Sequence, residues 1–383
     1  MSGDRLGALR AAKLRAIAGA HLGLTVDVDQ GEGLADGAAL ASADRVAVLI
    51  GRPSRRSLGP ALSWAAKRFD GADNAQALAR VDLVLDPTVP VDEHPVDHDP
   101  GLAGSSPAAD DRFGLDGGDA RTIGAQLARI GGLFRPDVRV WVVEGTDVVE
   151  VTAAPAPDVP AAPGVEADEL VELLRDVGLE PCAEPGMILG EVAGLEVARI
   201  TVTDGVPSLA IGVGRFDQEL SAVAQSDLSR RDALERAADL VRLARTMGNT
   251  AHANATHPMA RLARERWLRT SLIADPGVIG AAELAALPGL WVRRGLRASA
   301  PAAAVGNDVD GRALIVVCST GVDTDLVPAA LELAAQTDAS ARLVLALPPN
   351  DIVPSTRRVA ALALTEPEIV AVVPPWEPVA GHR

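Results

Sequence analysis

Tyrosine is absent from this 383-residue chain, lysine occurs only at Lys13 and Lys67, and cysteine only at Cys182 and Cys318. Scarce lysine beside abundant Ala, Arg, Gly and Pro reads as a GC-rich coding bias and says little about mechanism. The cysteines lie far apart without metal-ligand spacing, and Cys318 closes an apolar run where a thiol behaves as a small hydrophobe, so both are expected to be structural. No stretch reaches the roughly 18 uninterrupted apolar residues of a membrane span. The N-terminal segment holds Arg5, Arg10, Lys13 and Arg15, but its apolar part is broken by His21 and Gly23 and no small-residue cleavage site follows. This predicts an amphipathic helix, not a signal peptide, and a cytoplasmic protein without a membrane partner. Catalytic signatures are missing as well: no Gly-x4-Gly-Lys-Ser phosphate loop, no GxGxxG after a predicted strand, no Gly-x-Ser-x-Gly elbow. A formal charge of -16 excludes a surface that binds nucleic acid throughout, since phosphate binding needs a basic footprint. A local basic patch remains compatible with it.

What is present is one pattern used twice. RVAVLIGRPSRRSLGPALSWAAK from Arg45 and RALIVVCSTGVDTDLVPAALELAAQ from Arg312 each read as a buried strand, a polar loop and an amphipathic helix. Setting Leu58-Gly59-Pro60-Ala61 on Leu326-Val327-Pro328-Ala329 brings strands and helices into rough register, and a second apolar strand follows each helix (VDLVLD from Val81, RLVLALP from Arg342). Strands alternating with helices of this length imply parallel pairing. The fold class expected is therefore α/β, with parallel-sheet βαβ lobes at both ends of the chain and a central α+β unit. Whether the two lobes share one sheet stays open.

The length suggests two or three domains of roughly 100 to 200 residues. Residues 1–151 are expected to form an N-terminal α/β domain, closed by a hairpin around Glu144-Gly145-Thr146-Asp147. Within it, 87–120 is rich in Pro, Gly and Asp without a hydrophobic period, the mark of a mobile acidic insertion. Its His94, Asp97, His98 and Asp99 are chemically able to hold a metal only adventitiously, and no metal site is assigned. Alternating Pro and Ala make 152–164 a semi-rigid linker. The central unit, 165–300, opens with the helix ELVELLRDVG and a strand-rich run with a hairpin signal at Asp204-Gly205. Helices rich in arginine follow: between Arg230 and Arg297 there are 12 Arg against 6 acidic residues, a segment on which nucleic acid can dock if one face gathers the charge. Residues 301–383 carry the second βαβ pattern, a helix from Ser355 and a last strand in EIVAVVPPW.

Four stretches, GEVAGLEVARI, IGVGRFDQE, HPMARLARERWLR and IVVCSTGVDTDLVP, together resemble an actinobacterial family of uncharacterised conserved proteins. The resemblance covers most of the chain from Glu169 onward and, more loosely, the first domain. It implies a bacterial, cytoplasmic, single-polypeptide protein, and no activity, cofactor or site.

Three groups of residues are candidates for chemistry. In GRPSRRSLGP, Arg52, Arg55 and Arg56 precede a helix whose N-terminal amides carry positive partial charge, with Ser57 placed to cap it. In CSTGVDTD, Ser319, Thr320, Asp323 and Asp325 follow a buried strand, at the end where open α/β sheets bind ligands; the aspartates suit a cation, a ribose, or simply the start of the next helix. Glu191 and Glu196, with Arg199 and Arg215 nearby, lie on one strand pattern that is loosely similar to metal-dependent nucleases of the restriction-endonuclease-like class. Mg²⁺ or Mn²⁺ belongs only to that alternative, since a hard cation needs oxygen ligands. The acid-x-Lys element of such enzymes is missing, and residues five apart face opposite sides of a regular strand unless Gly194 marks a bulge. Trp267 sits at helical spacing from Leu262 and Leu268 and is expected in the core.

The leading expectation is a regulatory or binding protein for a phosphate-containing small molecule, using the loops from Gly51 to Ser57 and from Ser319 to Asp325. The runner-up is a divergent nuclease with Glu191 and Glu196 as catalytic carboxylates and the Arg-rich helices on nucleic acid. A third reading makes the chain an assembly component.

Overall fold

The computed structural model describes residues 3–24, 37–69, 78–89, 119–212, 229–248, 262–290, 300–374 and 376. Most of the expected acidic insertion, including the HPVDHD histidines, lies outside them, and so does Arg215. The fold is mixed α/β, and the chain divides into two compact units.

The first unit takes Met1–Pro157 and two later segments, Thr324–Gln336 and Val353–Pro367. Its sheet has the order β1-β2-β3-β4-β5, formed by Gly37–Ala41, Arg45–Ile50, Arg80–Leu85, Asp137–Glu144 and Asp147–Val151. The central three strands run parallel and the two edges antiparallel. β2 and β3 are buried on both faces, which is why they read as continuous apolar runs without alternation. Helix α1 (Gly3–His21) lays Leu14, Ile17 and Ala18 against Leu40, Leu49 and Val84. Helix α2 (Leu58–Arg68) follows β2, and α3 (Ala120–Gly131) precedes β4, its first turn held by Asp119, which accepts the Thr122 amide at 2.7 Å.

The second unit takes Asp158–Asp323, Thr337–Ile352 and Glu368–Arg383, so the passage at Pro157 falls inside the Pro/Ala linker. Helix α4 (Asp168–Asp176) leads into an antiparallel sheet ordered β6-β7-β8-β9, made by Glu180–Glu184, Met187–Val192, Leu195–Thr203 and Val206–Ile211. The turn between β8 and β9 is the expected Asp204-Gly205, both residues at positive φ. Helices α5 (Arg230–Gly248) and α6 (Arg264–Ala274) follow. A third sheet has the order β10-β11-β12-β13-β14, from Ala281–Leu287, Ala302–Asp308, Ala313–Cys318, Arg342–Leu347 and Glu368–Ala371. Its last three strands are parallel. The two end patterns therefore belong to separate sheets. Leu174, Leu195, Ile200, Leu234, Val241, Leu268, Val316 and Val344 share the core of this unit.

The helices that close the second pattern, α7 (Leu326–Thr337) and α8 (Pro354–Ala360), do not stay with their strands. All but the last residue of α7, and all of α8, belong to the first unit, where α8 packs on α2. The segment after α8 is tied down there by backbone bonds from Arg135 to Leu362 and from Leu364 to Leu133. The expected C-terminal lobe 301–383 is thus shared out: its strands build the second unit and its helices complete the first. Among the described residues no helix is long and apolar enough to cross a membrane.

Candidate functional site

The basic loop leaves the carboxyl end of β2 and enters α2 through one tight helical turn, Arg55–Ser57. Its three arginines are not equivalent. Arg55 turns inward and donates to both carboxylate oxygens of Glu332 on α7, at 3.1 and 3.0 Å, and the same carboxylate accepts from Arg129 on α3 at 2.6 Å. Glu332 is buried, so Arg55 serves to hold α7 in place. Arg52 and Arg56 are exposed. Ser57 makes no side-chain cap to α2; it is buried, and its hydroxyl accepts the Ser54 amide at 3.0 Å, fixing the turn ahead of the helix. At Gly59 a Cβ would stand 2.3 Å from the Thr324 carbonyl oxygen and 2.7 Å from the Asp325 Cα. The approach needs a glycine, and it brings the start of α7 to the first turn of α2.

That contact divides the second predicted loop. Asp325 goes with the first unit, where its backbone carbonyl accepts the Ala329 amide and so opens α7. Ser319, Thr320 and Asp323 stay with the second unit at the end of β12. Ser319 is fully buried; its amide bonds the Ala346 carbonyl, while its hydroxyl has no hydrogen-bond partner among the described residues. Gly321 turns at φ +78°, and its amide donates to Asp351 at 2.7 Å.

The acidic pattern is a hairpin, not one strand. Ala193 and Gly194, at φ +46° and +75°, form a two-residue turn that makes Glu191 and Glu196 cross-strand partners. The expectation that they face opposite sides of one strand is corrected by that turn, which glycine makes possible: a Cβ at Gly194 would lie 2.3 Å from the Arg266 backbone. Glu191 is fully buried and takes Arg266 at 2.9 Å and Arg269 at 2.6 Å, one on each oxygen. Arg266 also reaches Glu184 at 2.9 Å. Glu196 pairs with Arg199 through both oxygens. A carboxylate held between two guanidinium groups, neither able to give up its proton, has little negative field left for a cation, so the catalytic role expected of Glu191 does not follow from its surroundings. Among the described residues, no three or more of His, Cys, Asp and Glu are placed to hold a metal ion.

The arginine-rich helices turn much of their charge inward too. Arg269 and Arg266 are buried, and Arg245 is fully buried with its guanidinium 4.4 Å from the ring centre of Trp267. Trp267 meets Trp376 edge-on in the core, as its helical spacing suggested. Arg242 binds the carbonyls of Val177 and Gly178, and Arg231 pairs with Asp176.

Two clusters escaped the sequence reading. Around Glu191, burial and the Glu191 charge push the Glu180 carboxyl above the usual range against the pull of Arg269 and Thr270; burial does the same to Glu184 against Arg266. Cys182 sits 3.5 Å from Glu191, its thiol pushed up by burial, and burial pushes Cys318 up to about 12. The other cluster stands on the first sheet. Asp82 and Asp86 are fully buried; Asp82 receives Arg45, Arg80 and the Trp141 indole, and Asp86 faces Lys13 of α1. The signal available was a pair of aspartates four places apart in the otherwise apolar run VDLVLD, sharing one face of the strand. Comparison with protein-family models, curated proteins and solved structures returns no match.

Proposed function

We propose that the protein binds a phosphate-containing small molecule at the carboxyl end of β2, through Arg52 and Arg56. One observation carries the reading: Arg52 and Arg56 are exposed at the carboxyl end of parallel strands, where open α/β sheets bind ligands. Asp325, whose backbone lies against Gly59, suits a ligand with hydroxyl groups beside its phosphate. A regulatory role in a bacterial cytoplasm belongs to the same reading.

Thermal unfolding across nucleotides, dinucleotides and sugar phosphates tests it. A ligand at a hundredfold excess over its dissociation constant stabilises by about 2.7 kcal/mol, and the shift should vanish in Arg52→Ala with Arg56→Ala. No shift in the wild type with any of these compounds would sink the proposal.

A further inference from the structure

The strand beside the basic loop ends on a second set of polar groups. Asp86 follows β3, and its amide donates to the Ile50 carbonyl at 2.9 Å, so Asp86 and Gly51 leave neighbouring parallel strands at the same end. Asp86 is fully buried and its carboxylate is committed: one oxygen accepts the amide and hydroxyl of Thr88, at 3.1 and 2.6 Å, and the other lies 2.5 Å from the Lys13 ammonium. Lys13 also donates to the Thr88 hydroxyl at 3.2 Å. An ammonium has three donors; Thr88 takes one, and the ion pair with Asp86 holds the group in place. The side chain is 37 % exposed, at the end of the sheet where Arg52 is exposed. Asp86 offsets the lysine charge, so Lys13 brings a positioned donor while the positive field comes from the arginines.

We infer that Lys13, held by Asp86 and Thr88, is a ligand-contacting residue that donates to a phosphate oxygen of the molecule bound beside Arg52. This rests on the binding function proposed above and extends its site to α1 and to the end of β3. It also accounts for a lysine kept in ion-pair contact with a buried aspartate in a chain that has only two lysines: an ammonium presents a compact point-charge donor.

The wild-type protein supplies its own control, because Lys67, the other lysine, is exposed in the last turn of α2, away from the strand ends. Amine acylation followed by peptide mass spectrometry, with and without inorganic pyrophosphate, should show Lys13 protected and Lys67 unchanged. In calorimetry with pyrophosphate, Lys13→Gln should bind about ten- to hundredfold more weakly, the loss of one hydrogen bond to a charged group, with Lys13→Arg restoring part of it. Pyrophosphate binding that leaves Lys13 as reactive as before, or a Lys13→Gln protein of lowered melting temperature and unaltered affinity, would reduce Lys13 to a staple for α1 and leave the function proposed above standing. If neither pyrophosphate nor any of the phosphate compounds binds the wild type, both ideas fall together.

Discussion

Glu191 shows how little a residue's type says about its use. Removing it leaves Arg266 and Arg269 buried without their shared counter-charge, and Glu191→Ala is expected to cost about 3 to 5 kcal/mol, measurable in urea unfolding. A loss under 1 kcal/mol would mean that the cluster is solvated in solution. Glu180 makes the opposite prediction. Its carboxyl titrates above the 4.5 of the free group, so the folded state holds the proton more tightly than the unfolded one. Its contribution to stability is complete below pH 4.5 and is lost as the pH rises through the raised value. Glu180→Gln cannot ionise, so its melting temperature should exceed the wild type's at mildly alkaline pH and converge on it as the pH falls toward 4.5. A wild type that is the more stable of the two at alkaline pH would contradict this. Sequence placed Arg52, Arg55 and Arg56 in one loop, but Arg55 turns inward to Glu332, 277 residues away; no local pattern carries that.

Turns and buried strands were readable along the chain, because their signals are local. The hairpin at Asp204-Gly205 and the apolar runs of β2, β3, β12 and β13 stand where periodicity and turn chemistry put them. The alanine-rich strands β10 and β11 did not show themselves, since alanine favours helix and only pairing with neighbours makes AAELAAL a strand. Gly306 is part of that pairing: a Cβ there would stand 1.9 Å from the Glu283 carbonyl oxygen. The Gly194 turn was suspected as a bulge and proved to reverse the chain. There the left-handed backbone and the contact with α6 coincide, so Gly194→Ala should destabilise by about 2 kcal/mol or more. Gly205→Ala, at a similar φ with open space around it, should cost about 1 kcal/mol. Equal losses in the pair would remove the steric part of the argument.

The whole molecule is built by interleaving, and repeated sequence patterns conceal this. The chain passes between its units after Pro157, Asp323, Gln336, Ile352 and Pro367. A fragment ending at Pro157 looks like a complete domain in sequence, yet it lacks α7, α8 and the carboxylate that Arg55 and Arg129 share. Such a fragment is expected to lack a cooperative melting transition in circular dichroism; a sharp transition would show α7 and α8 to be dispensable. Both cysteines lie buried in the second unit, so a disulfide reagent should reach neither until that unit opens, and its labelling rate then reports on that unit alone. Prompt native-state labelling would put the burial in doubt.

Interleaving also sets a clock on biosynthesis. The first unit waits for 210 further residues between Pro157 and Pro367, which at roughly 5 to 20 residues per second takes about 10 to 40 s. Throughout that interval the nascent chain carries the strands of the first sheet and an α2 that has not yet met α8. The faces of α2 that α8 covers in the finished protein stay open for that interval, and a slowed ribosome would lengthen the exposure in proportion.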